Sequence, residues 1–549
     1  MEVPIAAMTF AHPANVMTLA SRQPKSKRSH ISPATTAHRN LQTRLAHHHR
    51  ATPASLLMAI CNTVDKVINR FIDLPEQRPT VDPRRVLSGN FAPVDELPPT
   101  SCHVIRGSIP SCLAGGVYIR NGPNPQHRLP QRTHHLFDGD GMLHSLLLPS
   151  ASSTPLSEPV LCSRYVHTYK YLLERETGGP VLPNFFAGFH GVAGLARAAV
   201  MIARVLAGQI NLNKGFGLAN TSITLFADCL YALCESDHPY SIHINPANGE
   251  VTTLGRCDFG GDLSFRMTAH PKKDPVTMEL FAFRYNVFQP FITYFWFDRA
   301  GSKVADVPIL SLQKPSVMHD FAITERYAIF PESQLIVNPM DMVMRGSSFG
   351  RIGPYHGATD WRASKADGEE IVLVAPNILS IEHMLGNMEL MRARVDMVRI
   401  NLCTGDVSCT ALSPESLEFG VIHQSYVGRK NRYGYFGVSG PLPKIKGIRK
   451  LDFDLVGSGD CTVGRRDFGL GCFAGEPFFV PDNIDGYGNE DSGYVVCYTH
   501  EEDTGESWFV VMDAKSPELD IVAEVQLPSR IPYGFHGIFV KQAELLAQQ

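Results

Sequence analysis

The chain has no Cys-x-x-Cys pair. Its twelve cysteines are scattered, and the nearest neighbours are Cys229 with Cys234 and Cys403 with Cys409. That spacing supports neither a zinc cluster nor a disulfide framework, and it reads as free thiols in a reducing compartment. No uninterrupted apolar run reaches the ~18–20 residues that a spanning helix needs. Acidic residues are almost missing from the first fifty positions, where Glu2 stands alone against seven Lys and Arg. The same stretch lacks the apolar core of a secretory signal. Basic, hydroxyl-rich and acid-poor, residues 1–50 have the composition of an organellar transit peptide. Basic charge is also scarce in the body: residues 1–74 carry 9 Lys and Arg against 3 Asp and Glu, which leaves 41 against 51 in the rest. A body that acidic offers no electrostatic case for nucleic acid.

What is present is a chain of 549 residues, 44% hydrophobic and 19% charged, enough for a large core. Residues 51–74 place Leu57, Ile60, Val64, Val67, Ile68 and Phe71 at steps of three and four, the face of an amphipathic helix. Pro75, Pro79 and Pro83 end it, and the body, 75–549, begins there. From Gly116 the texture becomes short strands between Gly, Asn, Asp and Pro, such as Leu225–Leu233, Glu279–Tyr285, Ile371–Ala375, Tyr433–Val438 and Trp508–Met512. Many short strands over more than 400 residues predict a closed all-β architecture. A propeller fits the size, and its central channel gives an axis on which side chains from several blades can meet.

One segment breaks the pattern. Residues 191–210 form an apolar helix interrupted only by Arg197 and Arg204, seven apart and on nearly the same face. Such a helix suits a membrane interface, with both Arg heads at phosphate level as membrane contacts. A helix packed on the β body is the competing reading.

Three histidines stand beside strand-like text: His270 in Ala-His-Pro, His319 in Met-His-Asp-Phe-Ala and His536 in Gly-Phe-His-Gly. They are too far apart for a local metal motif, so any shared site is assembled by the fold. Neutral imidazoles without thiolates suit Fe, Zn, Cu or Ni. Ligating imidazoles usually donate their second N–H to a carboxylate. Glu235, Glu418 and Glu476 lie in apolar, strand-like surroundings where an unpaired charge is costly, which makes them candidates for that role.

Gly116-Val-Tyr-Ile-Arg-Asn-Gly-Pro-Asn-Pro125, Leu136-Phe-Asp-Gly-Asp-Gly-Met-Leu-His144 and the three histidine motifs together resemble the carotenoid cleavage oxygenases, from about residue 75 to about 545. The stretch Gly505–Asp520 looks most like the plastid carotenoid cleavage dioxygenase 4 subclass, with the 9-cis-epoxycarotenoid dioxygenases as the next relatives. The resemblance implies a seven-bladed β-propeller with a helical dome over the metal face. It also implies Fe(II) held by four histidines, with glutamates orienting three of them. Carried over by motif, His270, His319 and His536 are ligands, Glu235 orients His319, Glu476 orients His536, and Glu418 orients the remaining ligand. The implied reaction is cleavage of one carotenoid C=C bond by O2 into two carbonyl products, at the 9,10 or 9′,10′ bond. The implied setting is the plastid, at a plastoglobule or other membrane surface.

The sequence departs from the pattern at one ligand. Relatives carry it in a His-x-x-Asn-Ala-Trp motif shortly before a strand like Glu370–Asn377, whereas this chain reads Arg351-Ile-Gly-Pro-Tyr-His-Gly-Ala-Thr-Asp360 and is roughly twenty residues short. His356, in a Gly/Pro-flanked loop, is the candidate substitute. An epoxycarotenoid dioxygenase, or a carotenoid-binding protein that has lost its metal, are the competing readings of function.

Overall fold

In the computed structural model of the chain, the described residues are 9–11, 53–73, 77–129, 131–150, 158–184, 186–187, 191–331, 364–366, 370–380, 383–384, 386–441, 444–482 and 489–548. The expected transit segment lies almost wholly outside them, as does His356.

The body is built of antiparallel sheets whose strands follow one another in the chain. Ser222–Phe226, Cys229–Leu233, Tyr240–Ile244 and Val251–Arg256 form one four-stranded sheet. Lys272–Lys273, Leu280–Tyr285, Ile292–Phe297 and Lys303–Ile309 form the next, and Ser364–Ala366, Glu370–Ile378, Ala393–Asn401 and Val407–Ala411 a third. Burial grades across each sheet. Ile292–Phe297 is buried along most of its length and Leu280–Tyr285 has no exposed residue, whereas Lys303–Ile309 alternates between half-buried and exposed positions up to the buried Ile309. That gradient is expected when sheets stack face to face around an axis and only the outermost strand meets water.

A five-stranded sheet closes the ring. The C-terminal strand Gly537–Val540 pairs with Val117–Asn124, so Gly537 lies opposite Arg120. This pairing joins the last strand of the chain to one of the first.

The architecture is therefore all-β and propeller-like, but the described residues do not show seven separate blades. Four sheets of four or five strands stand apart, while ten strands run as one sheet from Leu417–Val421 to His103–Gly107. The fusion comes from Cys472–Ala474, which pairs with Ile445 on one side and with Cys472↔Glu501 register on the other, bridging two stacks. Ala322–Ile323 and Ala328–Phe330 belong to a short sheet next to residues 332–363, which lie outside the described residues.

Two helices enter between the five-stranded sheet and the sheet that begins at Ser222. Tyr169–Thr177 starts at Thr168, whose side chain accepts from Tyr171 N, and stops at Gly178 in the left-handed conformation. Gly191–Leu206 follows and packs on the N-terminal helix Pro53–Val67 and its wider continuation Ile68–Ile72. No helix among the described residues is long and apolar enough to cross a membrane.

The membrane role expected for Arg197 and Arg204 is overturned by this packing. Both side chains are buried, Arg197 at 5% exposure and Arg204 at 1%. Arg204 reaches Asp65 at 2.6 Å and Asn62 at 2.8 Å, and Arg197 bonds Asn69 at 2.7 Å and pairs with Asp73. The face that seemed turned to phosphates meets a matching polar row on the N-terminal helix. Charge neutralisation inside the hairpin is the physical reason, and the apolar faces are what point outward.

Candidate metal centre

His270, His319 and His536 arrive from distant parts of the chain. Each is delivered by a strand or turn at the axis. His270 precedes Lys272–Lys273, and its backbone N–H donates to Thr268 Oγ1 at 3.0 Å, while Thr268 N donates to Phe283 O at 2.8 Å. His319 precedes Ala322–Ile323. The two are set relative to each other by Lys272, whose ammonium lies 2.9 Å from the buried Asp320 carboxylate, while Asp320 also accepts from Phe321 N at 2.7 Å. His536 is held by the ring closure: Asn121 N donates to His536 O at 3.0 Å, and Phe535 N to Asn121 O at 2.9 Å.

The imidazoles converge. His270 Nε2 lies 3.1 Å from His319 Nε2, and the His270 and His536 rings are 4.7 Å apart at right angles. Donor atoms of Glu235, His270 and His319 all fall within 4.8 Å of one another. Two nitrogens bonded to one metal at ~2.0–2.1 Å sit about 2.9 Å apart at a right angle and about 3.3 Å apart at a tetrahedral angle. The 3.1 Å spacing lies between those values. An imidazole pair so spaced, with the ring of His536 4.7 Å from that of His270, suits a borderline divalent metal such as iron or zinc.

Carboxylates fix two of the rings. His319 Nδ1 bonds Glu235 Oε1, and Tyr285 OH donates to the other oxygen of Glu235 at 3.4 Å. His536 Nδ1 lies 2.8 Å from Glu476 Oε1, and Gly537 N donates to Glu476 Oε2 at 3.0 Å. With Nδ1–H donated outward, Nε2 is left as the lone pair facing the axis, as ligating histidines require. Burial, together with the neighbouring His319, His536 and Lys272, pushes His270 well below the usual imidazole range, so it stays neutral. For His319 burial pulls the same way, but the Glu235 carboxylate outweighs it and the net shift is upward.

Glu418 stands apart. It sits on Leu417–Val421 where the pairing slips by a bulge, next to Phe419 at φ +51°, and Phe419's ring is 6.0 Å from that of His536. Its Oε1 is shut off from solvent and has no hydrogen-bond partner among the described residues. Desolvation raises its carboxyl to about 7.

The motifs the sequence singled out without a role turn out to be the scaffold. Asn121, fully buried, donates to Ala219 O at 2.8 Å and Ser222 O at 3.1 Å, tying the closing sheet to the next. Asp138 accepts from Phe186 N at 2.9 Å and Ala187 N at 2.8 Å, and so holds the segment before Gly191–Leu206 against the metal face. Asp140 pairs with Lys170 at 2.9 Å, and Lys170 with Glu174 at 2.7 Å. A carboxylate at fixed offset inside a Gly-rich motif was the available signal; its partner 30 residues on was not. Phe137 meets Phe186 at 5.6 Å and Phe535 at 5.0 Å, which places an aromatic wall beside His536.

A profile of the retinal pigment epithelial membrane protein family matches residues 91–365 and 354–541, two stretches that meet over 354–365. From Oryza sativa subsp. japonica, 9-cis-epoxycarotenoid dioxygenase NCED2 is 91% identical over 100% of both chains, and NCED1 is 63% identical over 90% of this chain and 82% of its own. A probable carotenoid cleavage dioxygenase 4 of Arabidopsis thaliana is 51% identical over 89% of this chain and 86% of its own, against 35% over 86% and 84% for NCED6 of the same plant. Thus the two highest of these identities carry the epoxycarotenoid name rather than that of the subclass the motifs suggest. The alignment with the 91% relative runs over 578 positions, 29 more than the 549 residues of this chain. Among solved structures, a Pseudomonas brassicacearum lignostilbene dioxygenase superposes with TM-score 0.68 at 23% identity, over 86% of this chain and 100% of that one, which speaks to the fold.

Proposed function

Since the chain belongs to the retinal pigment epithelial membrane protein family, that of the carotenoid cleavage oxygenases, we propose that it is a non-haem Fe(II) dioxygenase cleaving a carotenoid C=C bond. The observation that carries this reading is the convergence of His270, His319 and His536, with Glu235 and Glu476 on the outward nitrogens of two of them. These three imidazoles would hold the iron, and the iron when bound supplies oxygen activation. The chain itself orients two of these imidazoles through Glu235 and Glu476. Its wall of Phe137, Phe186 and Phe535 offers an apolar surface on which a polyene can lie with water excluded. In the overall reaction one C=C bond breaks and each of its carbons takes one oxygen atom of O2. The oxidation of the substrate is balanced by reduction of O2, and no further electron donor is needed. Seven blades, with the ten-stranded sheet counted as two and the short sheet as one, agree with this family reading.

The names of the relatives at 91% and 63% identity favour a 9-cis-epoxycarotenoid as substrate. A second reading, 9,10 (9′,10′) cleavage of β-carotene or an apocarotenoid, is favoured by 51% identity to the Arabidopsis dioxygenase 4 against 35% to NCED6. Protein reconstituted anaerobically with Fe(II), then exposed to air with 9-cis-violaxanthin or β-carotene, is expected to give a pair of carbonyl products from the epoxide preferentially. Preference for β-carotene installs the second reading. Bound pigment without product from either makes the chain a carotenoid-binding protein.

The relatives named chloroplastic, together with residues 1–50, support a plastid location. Attachment to a membrane or plastoglobule surface is supported by the helical hairpin, whose outer face exposes Leu56, Ile60, Phe71, Val192, Ile202 and Leu206. Burying a side chain of that size contributes ~1.5–3 kcal/mol, so F71E with L206E is expected to lower vesicle partitioning at least ~10-fold in a flotation assay. Unchanged flotation removes the hairpin from the docking surface.

A further inference from the structure

Arg120 stands on Val117–Asn124 directly opposite Gly537, the residue after His536, and only 3% of it is exposed. Its guanidinium touches two chain segments, each carrying one member of the Glu476–His536 pair. On one side Nη2 donates to Pro532 O, and a methyl group at Gly534 would lie 2.8 Å from Nε. On the other side a methyl group at Gly475 would lie 3.0 Å from Nη1. The guanidinium carbon stands over the Tyr498 ring, 5.4 Å from its centroid, and Tyr498 O accepts from Gly475 N at 2.8 Å. Glycine at 475 and at 534 is what leaves room for the fork to reach both segments.

A guanidinium stays protonated in a protein, and a buried charge is costly unless it is paired. Arg120 makes no ion pair among the described residues, and its buried Nε has no hydrogen-bond partner there. The carboxylate whose charge acts on it most is Glu476, which lies 2.8 Å from His536 Nδ1 and accepts from Gly537 N at 3.0 Å. We propose that Arg120 is a positioning residue of the metal centre: its planar fork, seated against Gly475 and bonded to Pro532, sets Glu476 against His536 and so fixes the aim of His536 Nε2. The proposal rests on the metal-centre reading above. A lysine in this place keeps the charge but lacks the planar reach, so loss of charge and loss of shape are separable.

Cobalt(II), titrated into the purified full chain and its variants, tests this. R120M is expected to weaken cobalt binding ~10–100-fold, the loss that follows removal of a group orienting a metal ligand. R120K is expected to recover part of that loss, since it restores the charge beside Glu476 without the fork. V117A, a core truncation on the same strand, is expected to lower the unfolding midpoint but to change cobalt affinity less than about twofold. G475A keeps Arg120 but crowds its guanidinium; it carries the test if R120M does not fold, and is expected to weaken binding at least ~10-fold. In the cobalt-loaded chain each ligating ring gives its own paramagnetically shifted N–H proton signal, and that of His536 is the one moved by E476Q. R120M is expected to move the same signal and to leave the others in place. Affinities of R120M and G475A within about twofold of the unaltered chain overturn the proposal, as does an equal shift of every ring signal, which marks general loosening. An unaltered chain that takes up no cobalt removes the metal-centre reading and this inference together, whereas equally tight binding by the unaltered chain and R120M removes this inference alone.

Discussion

H319A is expected to strip the chain of metal. His319 lies 3.1 Å from His270 through Nε2 and is bonded to Glu235 through Nδ1, so its removal deletes one donor and leaves a carboxylate beside the vacancy. Loss of an outer-shell partner alone lowers metal affinity ~10–100-fold, and loss of a ligand from a set of three should exceed ~100-fold. Cobalt or iron content after gel filtration reads the effect directly. E235Q tests the same pair more gently: the ring stays but its acceptor weakens, with an expected loss inside the ~10–100-fold range. Retention of a full equivalent of metal by H319A would place the site elsewhere.

K170M is expected to have the largest effect on stability. Lys170 lies between Asp140 and Glu174, and the three side chains are 8%, 3% and 2% exposed. Burial pulls the ammonium down, yet the two carboxylates outweigh it and raise Lys170 above its ordinary range. Glu174 also receives Val181 N at 2.9 Å and Leu182 N at 3.0 Å, so the cluster anchors the turn leading toward the second helix. Removing the cation leaves two carboxylates buried side by side, and breaking such a pair costs ~3–5 kcal/mol. Urea unfolding should show that loss, and E174Q added to K170M should recover part of it. A shift below ~1 kcal/mol for K170M would mean that water reaches the cluster.

Much of the site was open to inspection in the sequence because its chemistry sits in short motifs. His270, His319 and His536, and the apolar settings of Glu235 and Glu476, are local properties of a few residues each. The all-β architecture was readable for a similar reason: period-two strands between turn residues are written locally. Arg197 and Arg204 show the opposite case. Their spacing on one helical face is a fact of sequence, but whether that face meets lipid or protein depends on Asn62, Asp65, Asn69 and Asp73, more than a hundred residues away. An amphipathic helix alone does not say which of its faces is inside.

The sequence by itself determined the donor types and the strand-rich body, since each depends on residue identity and order. Only the tertiary structure decided that the three imidazole rings lie together and that Glu418 Oε1 meets no donor among the described residues, and it showed the Glu235–His319 and Glu476–His536 bonds that the resemblance implies. Those are distances of a few ångströms between residues 49 to 266 positions apart. Such distances are set by ring closure and by sheet register, as in the pairing of Gly537 with Arg120 and the Lys272–Asp320 bridge. Register is a collective outcome of packing across the whole ring, so no local pattern encodes it.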